Sequence, residues 1–202
     1  MFKALAKTFS FLLHPLFMPT YGLLILFQAG SVVTFMSWEI KAYLLMVVVV
    51  NTLLLPMLIL PVFVKRKLAK DYSFSERKER FLPLLFSFIL FAITLYFLAR
   101  IPISPVIKLF MLGSTLAVLF TLIINFFWKI SIHMVGIGGL LGVLFFVILQ
   151  MLSSLVGFLL MGVLFSGVIG TSRLYLGVHD LRQIAAGYAL GMGTMLCTLY
   201  LL

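Results

Sequence analysis

One polar stretch interrupts the apolar last third of the chain, and its residue types suit phosphate chemistry. It opens with Ser172-Arg173, continues through five residues to His179, and reaches Gln183 four residues later. Arginine and hydroxyl groups bind phosphate oxygens, and an imidazole can attack phosphorus or move a proton. Polar groups at the edge of a membrane span indicate a functional site by default. The stretch is therefore the first candidate site.

Two further polar segments have side chains of the same kinds. A short knot between apolar runs supplies Lys129, Ser131 and His133. Residues 65–80 form the only long polar stretch, with seven basic residues and three acids, and Arg77 and Arg80 stand at its end. Phosphoryl transfer to a histidine needs a nucleophile, cations for the phosphate oxygens and an acid for the leaving group. The three segments together contain each of these groups.

The same segments lack the ligand pattern of a metal centre. Asp180 is the one acid beside the candidate histidines, and the chain has neither a His-Glu-x-x-His motif nor paired carboxylates. Structural and catalytic metal sites usually draw on three or four such ligands. We therefore expect neither a metal nor another cofactor.

Composition predicts an integral-membrane protein. The chain has 202 residues, of which 64% are hydrophobic and 10% charged, and its mean hydropathy is +1.27. A soluble domain of this size needs a more charged exterior. Apolar runs near twenty residues long recur throughout, which predicts an all-α fold, a multi-span transmembrane bundle of six to seven helices. Residues 1–202 are expected to form a single membrane domain.

The strong positive charge does not indicate nucleic acid. Fifteen Lys and Arg residues against five acids give a net charge of +10. These basic residues cluster at span ends, where they meet anionic headgroups or a phosphorylated substrate. No basic stripe interleaved with aromatic residues lies outside the spans, so nucleic acid is excluded as a partner. Membrane lipids and a phosphorylated lipid substrate are the expected partners.

The N-terminal part, residues 1–64, is predicted to hold the first two spans. The first apolar run follows Lys3 and Lys7 and lacks a small-residue cleavage site, so we interpret it as an uncleaved span rather than a secretory signal. Pro15 and Pro19 predict a kink or a short preceding interfacial helix. His14, at that break, is interpreted as a kink-satisfying or interfacial residue.

The core, residues 81–202, follows the polar segment 65–80. Including the second N-terminal span, the expected spans are about 41–64, 81–99, 106–127, two within 134–171 that meet near 150–154, and 184–202. Glycines at close spacing within 134–171 predict that its two spans form the packed centre of the bundle.

Span counting places the three polar segments on one membrane face. Two spans separate 65–80 from Lys129–His133, and two more separate that knot from Ser172–Gln183. If the first run crosses, Lys3 and Lys7 share this face, and the positive-inside rule favours the cytoplasmic side of a multi-pass cell-membrane protein.

The polar segments resemble the motifs of the type 2 phosphatidic acid phosphatase and haloperoxidase superfamily. Ser172-Arg173, five residues and His179 resemble its third motif, Ser-Arg-x5-His-x3-Asp, and Ile130-Ser131-Ile132-His133 resembles its second motif, Pro-Ser-Gly-His. The first motif, Lys-x6-Arg-Pro, has its nearest match at Arg80-Phe-Leu-Pro83, with Ser73 at the lysine position. The resemblance covers the chain from about residue 76 onward.

The resemblance implies a lipid phosphatase and assigns roles to the matching residues. His179 would be the nucleophile that forms a phosphohistidine, and His133 would protonate the leaving group. Phosphate oxygens would be held by Arg173, Ser172 and Ser131. Lys129 would replace the lysine of the first motif, and Arg77 or Arg80 would replace its arginine.

Gln183 departs from the family, which has an aspartate at this position. It lies four residues after His179, on the same face of a helix, so its amide oxygen can accept the ring N–H without supplying a charge. This departure leaves open a second hypothesis, a catalytically impaired relative that binds phospholipid headgroups. A third hypothesis is a small transporter that uses Asn51, Glu39 and the histidines.

Overall fold

The computed structural model describes residues 2–29, 33–68, 76–151 and 155–201. Within these ranges the chain is helical and has no strand. Seven segments of the described residues are long and apolar enough to cross a membrane, which confirms the predicted all-α multi-span architecture. The helices are α1 (Phe2–Leu12), α2 (Met18–Leu26), α3 (Trp38–Val49), α4 (Leu55–Lys65), α5 (Phe81–Ala99), α6 (Pro105–Asn125), α7 (Ile132–Met151), α8 (Val156–Tyr175) and α9 (Leu181–Leu201).

The first apolar run is broken into two helices at its prolines. A short 3-10 turn, Pro15–Phe17, separates α1 from α2, and Pro19 stands in the first turn of α2. Proline lacks an N–H and has a fixed φ, so it fits the start of a helix and interrupts one already running. As a result α1 packs on α8 while α2 packs against α7.

The second span contains a π-helical turn, Val50–Leu54, between α3 and α4. It ends just before Pro56, whose missing N–H disturbs the regular hydrogen-bond pattern. Asn51 lies in this turn, and its amide donates to the Val47 carbonyl at 2.9 Å. The helix that contains Asn51 thus supplies an acceptor for its side chain.

The packed centre of the bundle is formed by α7 and α9 instead of α7 and α8. A Cβ placed on Gly138 of α7 or on Gly191 of α9 would collide with backbone atoms of the opposite helix. Gly157 and Gly167 of α8, in contrast, have nothing within 4 Å of that position. Glycine spacing thus predicted close packing for α7, but α9 is the partner that approaches it.

The three polar segments meet on one face, as the span count predicts. They lie at the ends of α5, α6, α7, α8 and α9. The Arg80 guanidinium, at the start of α5, donates to the Ile130 carbonyl at 3.2 Å. The N–H of Ser131, just before α7, donates to the Gln183 carbonyl in α9 at 3.3 Å. These two hydrogen bonds join the three polar segments into one site.

Candidate functional site

The turn between α8 and α9 sets the five-residue spacing from Arg173 to His179. The N–H of Val178 donates to the Arg173 carbonyl at 3.3 Å, and that of Gly177 to the Leu174 carbonyl at 2.9 Å. This pair of bonds is a Schellman motif, which requires a left-handed residue, and Gly177 has φ +66°. The turn reverses the chain so that Arg173 and His179 line the same cavity.

Asp180 is occupied by the start of α9. Its carboxylate accepts the N–H of Gln183 at 2.8 Å, three residues into the helix. This is the N-cap position, where aspartate satisfies a backbone donor that has no partner within the helix. Asp180 is exposed, so the acid closest to the nucleophile candidate in sequence serves as a helix cap.

His179 is buried, and one of its ring nitrogens is held by a side chain. Its Nδ1–H donates to the amide oxygen of Gln183 at 2.8 Å, which leaves the lone pair on Nε2. Burial lowers the pKa of His179 to about 4, and the charges of Arg80, Arg173 and Lys129 act in the same direction, whereas the bond to Gln183 opposes them. The imidazole is therefore neutral at pH 7, as a nucleophile must be.

His133 is held by the main chain of α1. Its Nε2–H donates to the carbonyl of Ser10 at 3.0 Å. Because a carbonyl only accepts, Nε2 carries the hydrogen and Nδ1 is left to exchange a proton. The α1 helix thus fixes which nitrogen of His133 is available for chemistry.

His14 is a third histidine in the site, and its place there was not predicted. Its Nδ1 accepts the N–H of Leu16 at 3.4 Å and caps the 3-10 turn, which agrees with the interpretation of a kink-satisfying residue. Its ring also stands edge-on to that of His133, with centroids 5.2 Å apart. A polar residue beside Pro15 within an apolar run is the only sequence signal that marks it.

These side chains surround a cavity of about 140 Å³. Its polar lining comprises His14, Arg80, Ser87, His133, Arg173 and His179, and no acid among the described residues lines it. The Nε of Arg173 is buried and has no hydrogen-bond partner in the part of the chain that the structure describes. A buried charged donor without a partner costs free energy until an acceptor reaches it. The cavity is therefore suited to an anion.

The other predicted site residues lie around the cavity rather than in its lining. Lys129 is half-buried, and burial lowers its pKa, with Arg80 and Arg173 contributing. Ser131 is buried, and its hydroxyl has no partner among the described residues. The Ser172 hydroxyl donates to the carbonyl of Val168 in its own helix at 2.7 Å.

The first-motif candidates separate in the structure. Arg80 is buried and lines the cavity. Arg77 donates to the Phe126 carbonyl at 2.5 Å, and its own carbonyl accepts from Asn125 at 3.0 Å, so it fastens α5 to the end of α6. Ser73 lies outside the described residues.

A second, apolar cavity of about 80 Å³ continues from the first. The two cavities share the following lining residues: Pro15, Leu16, Leu84, Ser87 and Ile132. Beyond them the second cavity runs between α2, α5, α6 and α7, with Met195 of α9 also in its lining. A polar chamber thus adjoins an apolar one inside the bundle.

The described residues bring together no group of three or more His, Cys, Asp or Glu side chains that could hold a metal ion. Comparison with protein families, with curated proteins and with solved structures finds no match for this chain. The interpretation of the site thus depends on its own geometry and on the sequence resemblance.

Proposed function

We propose that the chain is an integral-membrane lipid phosphatase that hydrolyses a phosphate monoester or pyrophosphate of a lipid. The observation that carries the proposal is the pairing of Arg173 with His179 in one cavity. Among the described residues, the first has a buried guanidinium nitrogen without a partner, and the second has a neutral imidazole whose Nε2 makes no hydrogen bond. Anion binding and nucleophilic attack on phosphorus require this combination.

The reaction would run in two steps. The Nε2 lone pair of His179 attacks phosphorus, the bond to the leaving oxygen breaks, and its electron pair stays on that oxygen. The phosphate group enters with one proton, which Nδ1 of the neutral His133 takes up and passes to the leaving oxygen, while Arg80 and Arg173 neutralise the phosphate oxygens. In the second step Nδ1 of His133 takes a proton from water, and the water oxygen attacks phosphorus. The phosphorus–Nε2 bond breaks, its electron pair stays on His179, and inorganic phosphate leaves with the proton that His133 returns.

A lipid substrate is supported by the adjoining apolar cavity. A phosphate held between Arg80 and Arg173 would leave its organic group free to extend toward Leu84 and Ile132, which both cavities share. Burying methylene groups there is favourable by about 0.8 kcal/mol each. We infer that the polar chamber binds the headgroup and the apolar one the first carbons of the chain.

The neutral Gln183 also favours a second function. A carboxylate at this position would stabilise the positive charge that develops on His179, and the amide of Gln183 cannot. A protein that holds a lipid phosphate without turning it over, and so recognises phospholipid headgroups, would keep the same cavity and the same arginines.

We infer that the site faces the cytoplasm. The face that carries the site also carries the basic residues of segment 65–80, and only Lys41, Arg100 and Lys108 belong to the opposite face. Positive charges near span ends are retained on the cytoplasmic side of a cell membrane.

Phosphate release by the purified protein in detergent tests the proposal. Phosphatidate and a polyprenyl diphosphate would be offered with EDTA present, beside His179→Ala and a matched arginine pair, Arg173→Ala and Arg182→Ala. Loss of a nucleophile lowers turnover by about 10⁶ in a well-studied hydrolase, so His179→Ala should be inactive. Arg173→Ala should lose at least about 10²-fold, as expected for removal of one charge-stabilising donor. The exposed Arg182 should be dispensable.

The outcomes separate the two functions. No release above the His179→Ala background on any lipid phosphate would refute the phosphatase. Phosphate binding that survives His179→Ala and is lost in Arg173→Ala would then support headgroup recognition.

A further inference from the structure

His14 enters the site from a part of the chain that the phosphatase-like motifs do not reach. It lies at the break between α1 and α2, and its ring lines the same cavity as Arg173 and His179. Its edge-on contact with His133, 5.2 Å between centroids, places it at the His133 end of the cavity.

The capping bond fixes the tautomer of His14. Because Nδ1 accepts the N–H of Leu16, the hydrogen of the neutral ring is on Nε2. Among the described residues Nε2 has no hydrogen-bond partner. The ring therefore offers one N–H donor, and in the described part of the chain no carboxylate or other charged acceptor lines the cavity that it faces.

His133 cannot supply this donor in its place. Its Nε2–H is already directed at the Ser10 carbonyl, and its Nδ1 is the nitrogen left for proton exchange. An anion at this end of the cavity would meet one imidazole that exchanges a proton and one that only donates.

We propose that His14 is a third phosphate-contacting residue, which donates its Nε2–H to an oxygen of the bound phosphate group. The inference rests on the phosphate site of the proposed function and adds a donor to it from the N-terminal segment. It gives α1 and the 3-10 turn a role in ligand binding, because the turn that His14 caps also positions the Nε2–H donor.

Two substitutions separate capping from phosphate binding. In His14→Asn, the amide oxygen takes the place of Nδ1 and keeps the cap, but the Nε2–H is lost. In His14→Gln, the longer side chain brings an amide N–H to the place of Nε2, while the cap is weakened. Binding of inorganic phosphate and of a non-hydrolysable alkylphosphonate would be measured by titration calorimetry in detergent, with thermal unfolding in parallel. Arg100→Gln, on the opposite face, is the control.

We expect His14→Asn to weaken binding of both probes about tenfold, the loss typical of one hydrogen bond to a charged group, without lowering the melting temperature. His14→Gln should bind within about threefold of the unmodified protein, because it retains the donor. Arg100→Gln should change neither quantity.

Unchanged binding in His14→Asn would overturn the inference, as would an equal loss in both variants accompanied by lower melting temperatures. If Arg173→Ala abolishes binding while His14→Asn does not, the phosphate site stands and the role of His14 falls. If binding depends on His14 but no lipid phosphate is hydrolysed, the catalytic proposal falls and the role of His14 stands. Absence of phosphate binding by the unmodified protein overturns both.

Discussion

The two ends of the cavity hold their histidines by different means. His179 donates to the side chain of Gln183, which lies four residues later in the first turn of α9. His133 donates to the carbonyl of Ser10, 123 residues away in the chain. One substitution can change the acceptor of His179, whereas no side-chain replacement removes the backbone acceptor of His133. The His179 end is thus set by local sequence, and the His133 end by where α1 lies.

Gln183→Asp gives the largest expected contrast between the ends. A carboxylate would hold the same tautomer of His179 and also stabilise its positive charge. Loss of the corresponding charge in a serine protease costs about 10⁴ in rate, so the substitution should raise turnover by up to about 10⁴. Phosphate release from phosphatidate measures this, with Gln183→Asn, which has the length of aspartate without its charge, as the control. A decrease would show that the site is adapted to a neutral acceptor.

The pH profile of kcat/KM sharpens the same contrast. Protonation of Nε2 removes the nucleophile, and the pKa of His179 is lowered to about 4, first by burial. Activity should therefore persist below the ordinary histidine pKa and be lost as the pH falls through about 4. Gln183→Asp adds a negative charge beside the ring, which raises the pKa of His179 and moves this acid limb to higher pH. An acid limb near the ordinary histidine pKa in the unmodified protein would contradict the proposed environment.

His133→Gln tests the other end through the leaving group. A general acid contributes about 10²–10⁴ to the rate when the leaving group is a poor one. Hydrolysis of an alkyl phosphate should fall by this amount, whereas nitrophenyl phosphate, whose leaving group needs no proton, should lose less than about tenfold. Both rates would be measured on the same preparation. Equal losses on the two substrates would assign His133 a purely structural role.

Gly187→Ala should have the smallest effect, and we expect that effect on stability. Gly187 lies where α9 packs against Ser131 and Met134, which joins the two ends of the cavity. A Cβ on Gly187 would lie 2.6 Å from the Ser131 carbonyl oxygen and 3.1 Å from the Met134 Cβ. Forcing in one methyl group at such a contact typically costs about 1–3 kcal/mol. The melting temperature should fall accordingly.

Gly193→Ala is its matched control on the same helix, since nothing lies within 4 Å of its added Cβ. It should leave the melting temperature unchanged or slightly raised, because alanine is the better helix former. Equal melting temperatures for the two variants would show that α9 can move away from Ser131 at no cost.

Some features of the fold could be predicted from local sequence, and others could not. Span number and the shared face of the polar segments followed from run lengths, because an apolar run near twenty residues long crosses a bilayer whatever its neighbours are. The packing of α7 against α9 did not follow. Gly138 marks a helix that can be approached closely, but a small residue does not specify which helix approaches it.

The geometry of the His179 end follows from local sequence. A Schellman turn, a helix cap and an i, i+4 contact shape it, and these depend on the local backbone around Arg173, Gly177, Asp180 and Gln183. The geometry of the His133 end depends on tertiary packing. The acceptor of His133 is a carbonyl of α1, and the third histidine stands at a break whose proline signal indicates a kink but not its direction. Hydrogen bonds within one turn are encoded by spacing, whereas a contact across 123 residues depends on the packing of whole helices.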